Sequence, residues 1–183
     1  FQLRGLNQYP VYTRKENTDL SYLACAKYLL SELTKGVIEP QFATHNAHTV
    51  ASIIQLAGDR EFEFQRLHGM GEALYDEVIK RTQKTVRIYA PVGEHRDLLP
   101  YLVRRLLENG ANSSFVHQLV DPEIPVAQLT RPPLHIIREN ETIANPAIPM
   151  ACDILGDNRR NSEGLNVNIE GEWKPFEKEL EGF

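Results

Sequence analysis

Between Val11 and Asn109 the sequence passes four times from a short apolar, β-rich segment through a polar junction into an amphipathic helical pattern. Such a repeat confines the chain to parallel sheets, because parallel neighbours need a crossover and a helix is the usual one. The first unit joins Val11–Thr13 to a helix expected from about Asp19 to Ser31, with Thr18 or Asp19 as N-cap. The second runs from Pro40–Ala43 through Thr44–Thr49 into a helix over Val50–Leu56, closed by Gly58. The third has a strand at Phe62–Leu67 and a helix near Glu72–Arg81, and the fourth a strand at Val86–Ala90 and a helix from about Arg96 to Asn109, stopped by Gly110.

Units of this size build either an open doubly wound sheet or a closed (β/α)8 barrel, of which four units are half. In both, ligands bind beyond the carboxyl ends of the strands, so the junctions are the places to look. They read Thr13-Arg14-Lys15, Thr44-His45-Asn46-Ala47-His48, Leu67-His68-Gly69-Met70-Gly71 and Tyr89-Ala90-Pro91-Val92-Gly93. Free amides at a helix start favour anions, although any one of these threonines, or Asn46, also serves as an ordinary cap. His45 and His48 bracket a strand-to-helix turn with no cysteine or carboxylate at ligand spacing, which argues against a metal. No dinucleotide fingerprint, phosphate-binding P-loop or Gly-x-Ser-x-Gly elbow is present.

Composition narrows the partners. With 183 residues, 42% hydrophobic and 25% charged, the chain suits one ordinary globular domain. Residues 1–130 carry 14 basic and 15 acidic side chains and residues 131–183 carry 6 and 10, so neither part has the basic excess that nucleic acid demands. No apolar run reaches membrane-span length and the start is unlike a signal peptide, which points to the cytoplasm. Cys25 and Cys152 form neither a metal pair nor a disulfide framework and read as reduced and structural. The chain begins without methionine and is expected to be a piece of a longer one. Beyond Val120 the periodicity fades into proline-rich and then polar sequence. Residues 1–120 therefore read as the repeat domain and 121–183 as an irregular connector, extended or partly disordered.

The fourth helix is the most informative. At about 100° per residue, Leu98, Leu99, Leu102, Val103, Leu106 and Leu107 share one face, while Tyr101, Arg104, Arg105 and Glu108 line the opposite one. Pro100 is expected in its first turn. The pair Arg104 and Arg105 could clamp a carboxylate; pattern alone favours a solvated polar face.

The segments YPVYTRKENTDLSYLACAKYLL, PQFATHNAHT, FEFQRLHGMGE, RIYAPVGEHRDLLPYLVRRLLENGANSSFV and DNRRNSEGLN together resemble the proline dehydrogenase module of the bacterial bifunctional proline utilisation flavoenzymes. The resemblance runs nearly gapless from Tyr9 to Val116 and resumes near Ala147–Leu165, and YLVRRLLENGAN is its most specific part. It implies the C-terminal half of a distorted (β/α)8 barrel and FAD-dependent oxidation of L-proline to Δ1-pyrroline-5-carboxylate, with electrons passed to a membrane quinone. By that likeness Arg104 and Arg105 pair with the proline carboxylate, Tyr89, Tyr101 and Leu67 wall the ring, and Thr13, Lys15, Thr18, Thr44, His45 and Glu108 contact FAD, none of these residues acting as acid or base. The family's earlier strands, with a lysine, an aspartate and a Lys-Gly-Ala-Tyr-Trp segment, and its following aldehyde dehydrogenase domain are implied partners outside this sequence. The implied setting is cytoplasmic and peripheral on the inner membrane. Two other readings stay open: a catalytically silent, self-associating fragment without flavin, and a binding module for acidic metabolites built on Arg104 and Arg105.

Overall fold

The structure is a computed structural model of the chain and describes residues 9, 11–111, 114–161 and 165–182. It divides into two units, one of residues 18–139 and one of the stretches 1–17 and 140–183.

The unit of residues 18–139 is an α/β arrangement on a three-stranded parallel sheet, ordered β1 (Gln41–Ala43), β2 (Glu63–Leu67), β3 (Thr85–Tyr89). Its helices are α2 (Ala47–Ala57), α3 (Glu72–Thr82), α4 (His95–Gly110), α5 (Phe115–Val120), α6 (Val126–Leu129) and α7 (Pro133–Glu139), with most of α1 (Lys15–Leu29). The short strands are set by register: Phe42 lies opposite Phe64 in β1–β2, and Leu67 opposite Tyr89 in β2–β3. Side chains alternate across β2. Phe64 is buried on one face against Phe62 and Tyr75, with edge-to-face ring pairs from Phe42 to Phe62 (5.7 Å), Phe62 to Phe64 (4.9 Å) and Phe64 to Tyr75 (5.6 Å). Val50, Ile53, Ala57 and Val78 complete that core from α2 and α3, and Ala26 and Leu30 from the first helix and its end. The other face of the sheet is polar: Gln65 Nε2 donates to Gln41 Oε1 at 2.9 Å, and Arg87 donates to Glu63 through Nε and Nη2 at 2.7 Å each.

Local chemistry explains the boundaries. Asn46 caps α2 by accepting from the amides of His48 and Thr49, so the helix starts three residues before the expected Val50. Gly58 closes it at φ 51°, a conformation suited to glycine. Neither Thr18 nor Asp19 caps α1, which begins at Lys15 and takes both into its early turns. Pro100 lies in the second turn of α4, where its missing N–H leaves one carbonyl of the first turn without its helical donor.

Three expectations are overturned. Val11–Thr13 is not a strand: Val11 and Tyr12 are exposed, and the Thr13 hydroxyl accepts from the Asn145 amide at 2.8 Å instead. Among the described residues the repeat therefore holds three strands. The stretch after Val120 is not simply irregular, since α6, α7 and α8 (Glu170–Leu180) lie within it. Cys25 is exposed on α1 rather than structural, whereas Cys152 is buried, and both are free.

In the unit built from both ends of the chain, Tyr9 Oη donates to the Ile148 carbonyl at 2.5 Å, Asn17 to the Ile143 carbonyl at 2.9 Å and Asn140 to Glu16 at 3.0 Å. Bonds between residues more than a hundred positions apart tie the late segment to the start of the chain. Arg160 Nη2 lies 3.4 Å from the Cys152 sulfur. Among the described residues no helix is long and apolar enough to cross a membrane.

Candidate active site

At the carboxyl end of the sheet, Leu67 and Tyr89 end adjacent strands in register, and the His68 amide donates to the Tyr89 carbonyl at 2.9 Å. Partners in a parallel ladder project to the same face, so Leu67, which is buried, and Tyr89, which is exposed, sit side by side. The β1–α2 turn contributes Thr44 and His45. Thr44 is held twice, its carbonyl accepting from Tyr75 Oη at 2.6 Å and its hydroxyl from the Asn46 amide at 3.2 Å. Burial away from water pushes the Tyr75 hydroxyl up to about 12.

His45 packs against the backbone of Gly71, where a Cβ would come within 2.8 Å of the imidazole Cδ2. Gly71 also adopts φ 67°, so both the conformation and the contact require glycine. The His45 ring is held below its usual range, first by burial; the Glu108 carboxylate acts against that and the Arg66 guanidinium with it. Its Nε2 is buried without a hydrogen-bond partner.

α4 reaches the same end of the sheet through Asn109, whose Nδ2 lies 3.6 Å from the Met70 sulfur in the β2–α3 turn. On α4 a line of Leu98, Tyr101, Arg105 and Asn109 is half-buried, whereas Arg104 and Glu108 are exposed and Leu99, Leu102, Leu106 and Leu107 are 52–72% exposed. The Arg105 Cζ stands 5.3 Å from the Tyr101 ring centroid, and Nη1 pairs with Glu108 Oε2 at 2.5 Å. Arg105 Nε is buried with no partner. One end of the guanidinium is thereby committed to Glu108. Arg104, one position earlier, is exposed and makes no hydrogen bond or ion pair among the described residues.

The structure thus brings together Leu67, Tyr89, Thr44, His45, Tyr101, Arg105 and Glu108 within the unit of residues 18–139. Thr18 is exposed on α1 in that unit, and Thr13 and Lys15 fall in the other. Arg66 and Tyr75 were not singled out by motif, and Gly71 only as the end of the third junction. Arg66 could have been found from alternation, since it occupies the face-sharing position after Phe62 and Phe64, where the pattern asks for an apolar side chain. Among the described residues, no group of three His, Cys, Asp or Glu side chains could hold a metal ion.

The strand ends of this parallel α/β frame, where folds of this class bind ligands, thus gather a half-buried arginine and a half-buried imidazole. Residues 1–118 match the Proline dehydrogenase family, and the chain belongs to it. It is 50% identical over 181 residues to the Bifunctional protein PutA of Escherichia coli (strain K12) and 49% identical over 181 residues to that of Klebsiella aerogenes, covering 91% of this chain in each case. A Proline dehydrogenase 2, mitochondrial, of Arabidopsis thaliana is 32% identical over 108 residues, 55% of this chain and 22% of its own length. A crystal structure of a Bradyrhizobium japonicum Proline Utilization A (PutA) mutant superposes with a TM-score of 0.86 at 50% identity, covering 98% of this chain and 18% of that one. The chain spans 14% of the length of the two bacterial PutA relatives.

Proposed function

We propose that this chain supplies the substrate-binding part of an FAD-dependent dehydrogenase that oxidises L-proline to Δ1-pyrroline-5-carboxylate and passes the electrons to a quinone. The carrying observation is Arg105, oriented by Glu108 on one side and Tyr101 on another, with its Nε buried and unpaired. A carboxylate meeting the Nε edge would be held in two-point fashion, and Arg104 would add a second positive charge. Leu67 and Tyr89, side by side at the strand ends, with Tyr101, would wall an apolar ring whose carboxylate is so held. Binding and orientation are what these residues contribute; none is assigned a proton-transfer role.

The residues present fit a flavin. His45 Nε2 is a buried polar atom lacking a partner, and Gly71 keeps the ring's flank free of a side chain. Thr18, Thr44, His45 and Glu108 are the residues of the unit of residues 18–139 that would hold FAD, and the Thr44 hydroxyl accepts one amide while keeping an O–H to donate. FAD, when bound, supplies the two-electron acceptor this oxidation needs.

The same reading makes the three strands part of the C-terminal half of a (β/α)8 barrel completed by segments N-terminal to it, with an aldehyde dehydrogenase domain as a further partner and a cytoplasmic setting peripheral on the inner membrane. A second reading, a silent self-associating unit without flavin, is favoured by one observation: within the described residues β1 and β3 each keep one unpaired edge. Proline-dependent quinone reduction by the full-length protein, abolished or strongly weakened in Arg105→Met, tests the first reading. A full-length protein without visible flavin absorbance and without proline turnover would favour the second.

A further inference from the structure

Arg66 is the one charged residue buried among the described residues, 8% exposed at the end of β2. It stands on the core face of the strand, in line with Phe64, where an apolar side chain would cost no desolvation. Its guanidinium is engaged with one loop. Nη1 lies 3.3 Å from both the Leu67 and the Met70 carbonyl oxygens and 3.7 Å from Glu72 Oε1, the first residue of α3. The carbonyl of Leu67 also accepts from the Met70 amide at 3.1 Å. One buried cation therefore gathers the beginning, middle and end of the turn from Leu67 to Glu72.

That turn has two functional surfaces under the reading above, on which this inference rests. Its first residue, Leu67, is the proposed substrate wall; Gly71 is the surface on which His45 lies; and Met70 meets Asn109 of the arginine-bearing helix. A buried cation whose carboxylate partner is 62% exposed and 3.7 Å away is weak ground for stability, since an apolar residue of similar volume avoids its desolvation. Stability alone leaves this arginine unexplained, whereas the geometry of the turn accounts for it.

We propose that Arg66 is a positioning residue, whose contacts with Leu67, Met70 and Glu72 fix the turn that sets Leu67 against the substrate and Gly71 beneath His45. A displacement of about 1 Å in a group that orients substrate can cost on the order of 100-fold in rate.

The test compares Arg66→Met, Arg66→Lys, Glu72→Gln and Val78→Ala in the full-length protein, reading the proline KM and kcat, the FAD dissociation constant of the apoprotein, and the thermal midpoint. Val78 is buried in the same helix and core but touches none of the turn's polar contacts. Arg66→Met is expected to raise KM and weaken FAD at least about fivefold, with a thermal midpoint lowered no more than in Val78→Ala. Arg66→Lys should recover part of both losses, Glu72→Gln should show a smaller version, and Val78→Ala should lower the midpoint with KM and FAD affinity unmoved. The inference is overturned if Arg66→Met leaves KM and FAD affinity at parental values, or if Val78→Ala shifts them equally. If Arg66→Met does not fold, Arg66→Lys decides alone: unchanged KM and FAD affinity overturn the inference, and an increase at an unchanged midpoint supports it. Arg105→Met runs beside them. If it raises KM while Arg66→Met does not, only the positioning role fails; if neither does, the substrate site is misassigned and both readings fall.

Discussion

Glu108 Oε2 holds Arg105 Nη1 at 2.5 Å, so a residue assigned to the flavin and one assigned to the substrate form a single ion pair three positions apart on α4. The pair leaves one guanidinium edge for a carboxylate and fixes its direction. Arg105→Lys keeps the charge and removes the edge, and its expected cost is about 2–4 kcal/mol, or roughly 30-fold to several hundred-fold in the proline KM. Arg104→Met should raise KM less, because that guanidinium faces water. Steady-state kinetics of the full-length protein check both; parental KM values in both variants would remove the clamp from the site.

Tyr101 lies under the Arg105 guanidinium and is only half exposed, so trimming it changes both the clamp and the space beside the ring. Tyr101→Ser should weaken proline and relatively favour 4-hydroxyproline, shifting the ratio of kcat/KM values by about tenfold. Equal loss for the two substrates would place the tyrosine outside the ring pocket.

Gly71→Ala combines a left-handed backbone with a contact of 2.8 Å on His45. The turn or the imidazole must move, and FAD affinity is expected to fall by about tenfold or more while proline binding to any flavin-loaded fraction changes little. Fluorescence titration of apoprotein with FAD measures it, and parental affinity would show that His45 does not meet the cofactor.

The buried Tyr75 and the half-buried His45 set opposite pH limits on this unit. Tyr75 keeps its proton up to about 12 when folded and releases it near 10 when unfolded, so stability falls as pH rises from 10 towards 12. His45 is held below its usual 6.5, so stability falls as pH drops through 6.5 and stops falling only below its folded value. Tyr75→Phe should lessen the alkaline decline, leaving the part due to Tyr22, whose hydroxyl burial also pushes up, and, by orphaning the Thr44 carbonyl, cost about 1–3 kcal/mol at neutral pH. Thermal midpoints across pH for parent and variant decide this; an alkaline decline undiminished in the variant would assign it to other groups.

Much of this was legible in the sequence where one local signal decides the outcome. The strands ending at Leu67 and Tyr89, the Gly58 stop and the polar stripe of α4 all follow from periodicity and punctuation. Val11–Thr13 failed because three β-prone residues carry no information about whether a ladder partner stands beside them; here the Asn145 amide takes the Thr13 hydroxyl. The leucines of α4 recur at helical spacing, yet amphipathicity does not say which line is covered; within the described residues it is Leu98, Tyr101, Arg105 and Asn109, while Arg104 and most of the leucines are exposed. Arg66 was missed because a charged side chain in a strand reads as solvent-facing until the contacts of the following turn are seen.

Among the described residues, β1 and β3 each keep one unpaired edge, and Leu99, Leu102, Leu106 and Leu107 of α4 are exposed. The isolated chain is expected to be colourless, inactive and self-associating, and co-expression with the preceding barrel segments should yield a flavin-loaded, active complex. Light scattering and visible absorbance test this; a monomeric, flavin-loaded, active chain would contradict it.

The two-bond contact of Arg87 with Glu63 sits on the same face as Leu67 and Tyr89, four residues from Leu67 along β2, or about 13 Å. Edge strands of parallel sheets can slip, and a slip of β3 by one residue would place Ile88 or Ala90 opposite Leu67 and turn the Tyr89 phenol to the other side of the sheet. If Leu67 and Tyr89 wall the substrate as proposed, a carboxylate about 13 Å away acts as the indexing pin of their register, and a change in substrate preference can originate at the far end of the strands from where it is observed.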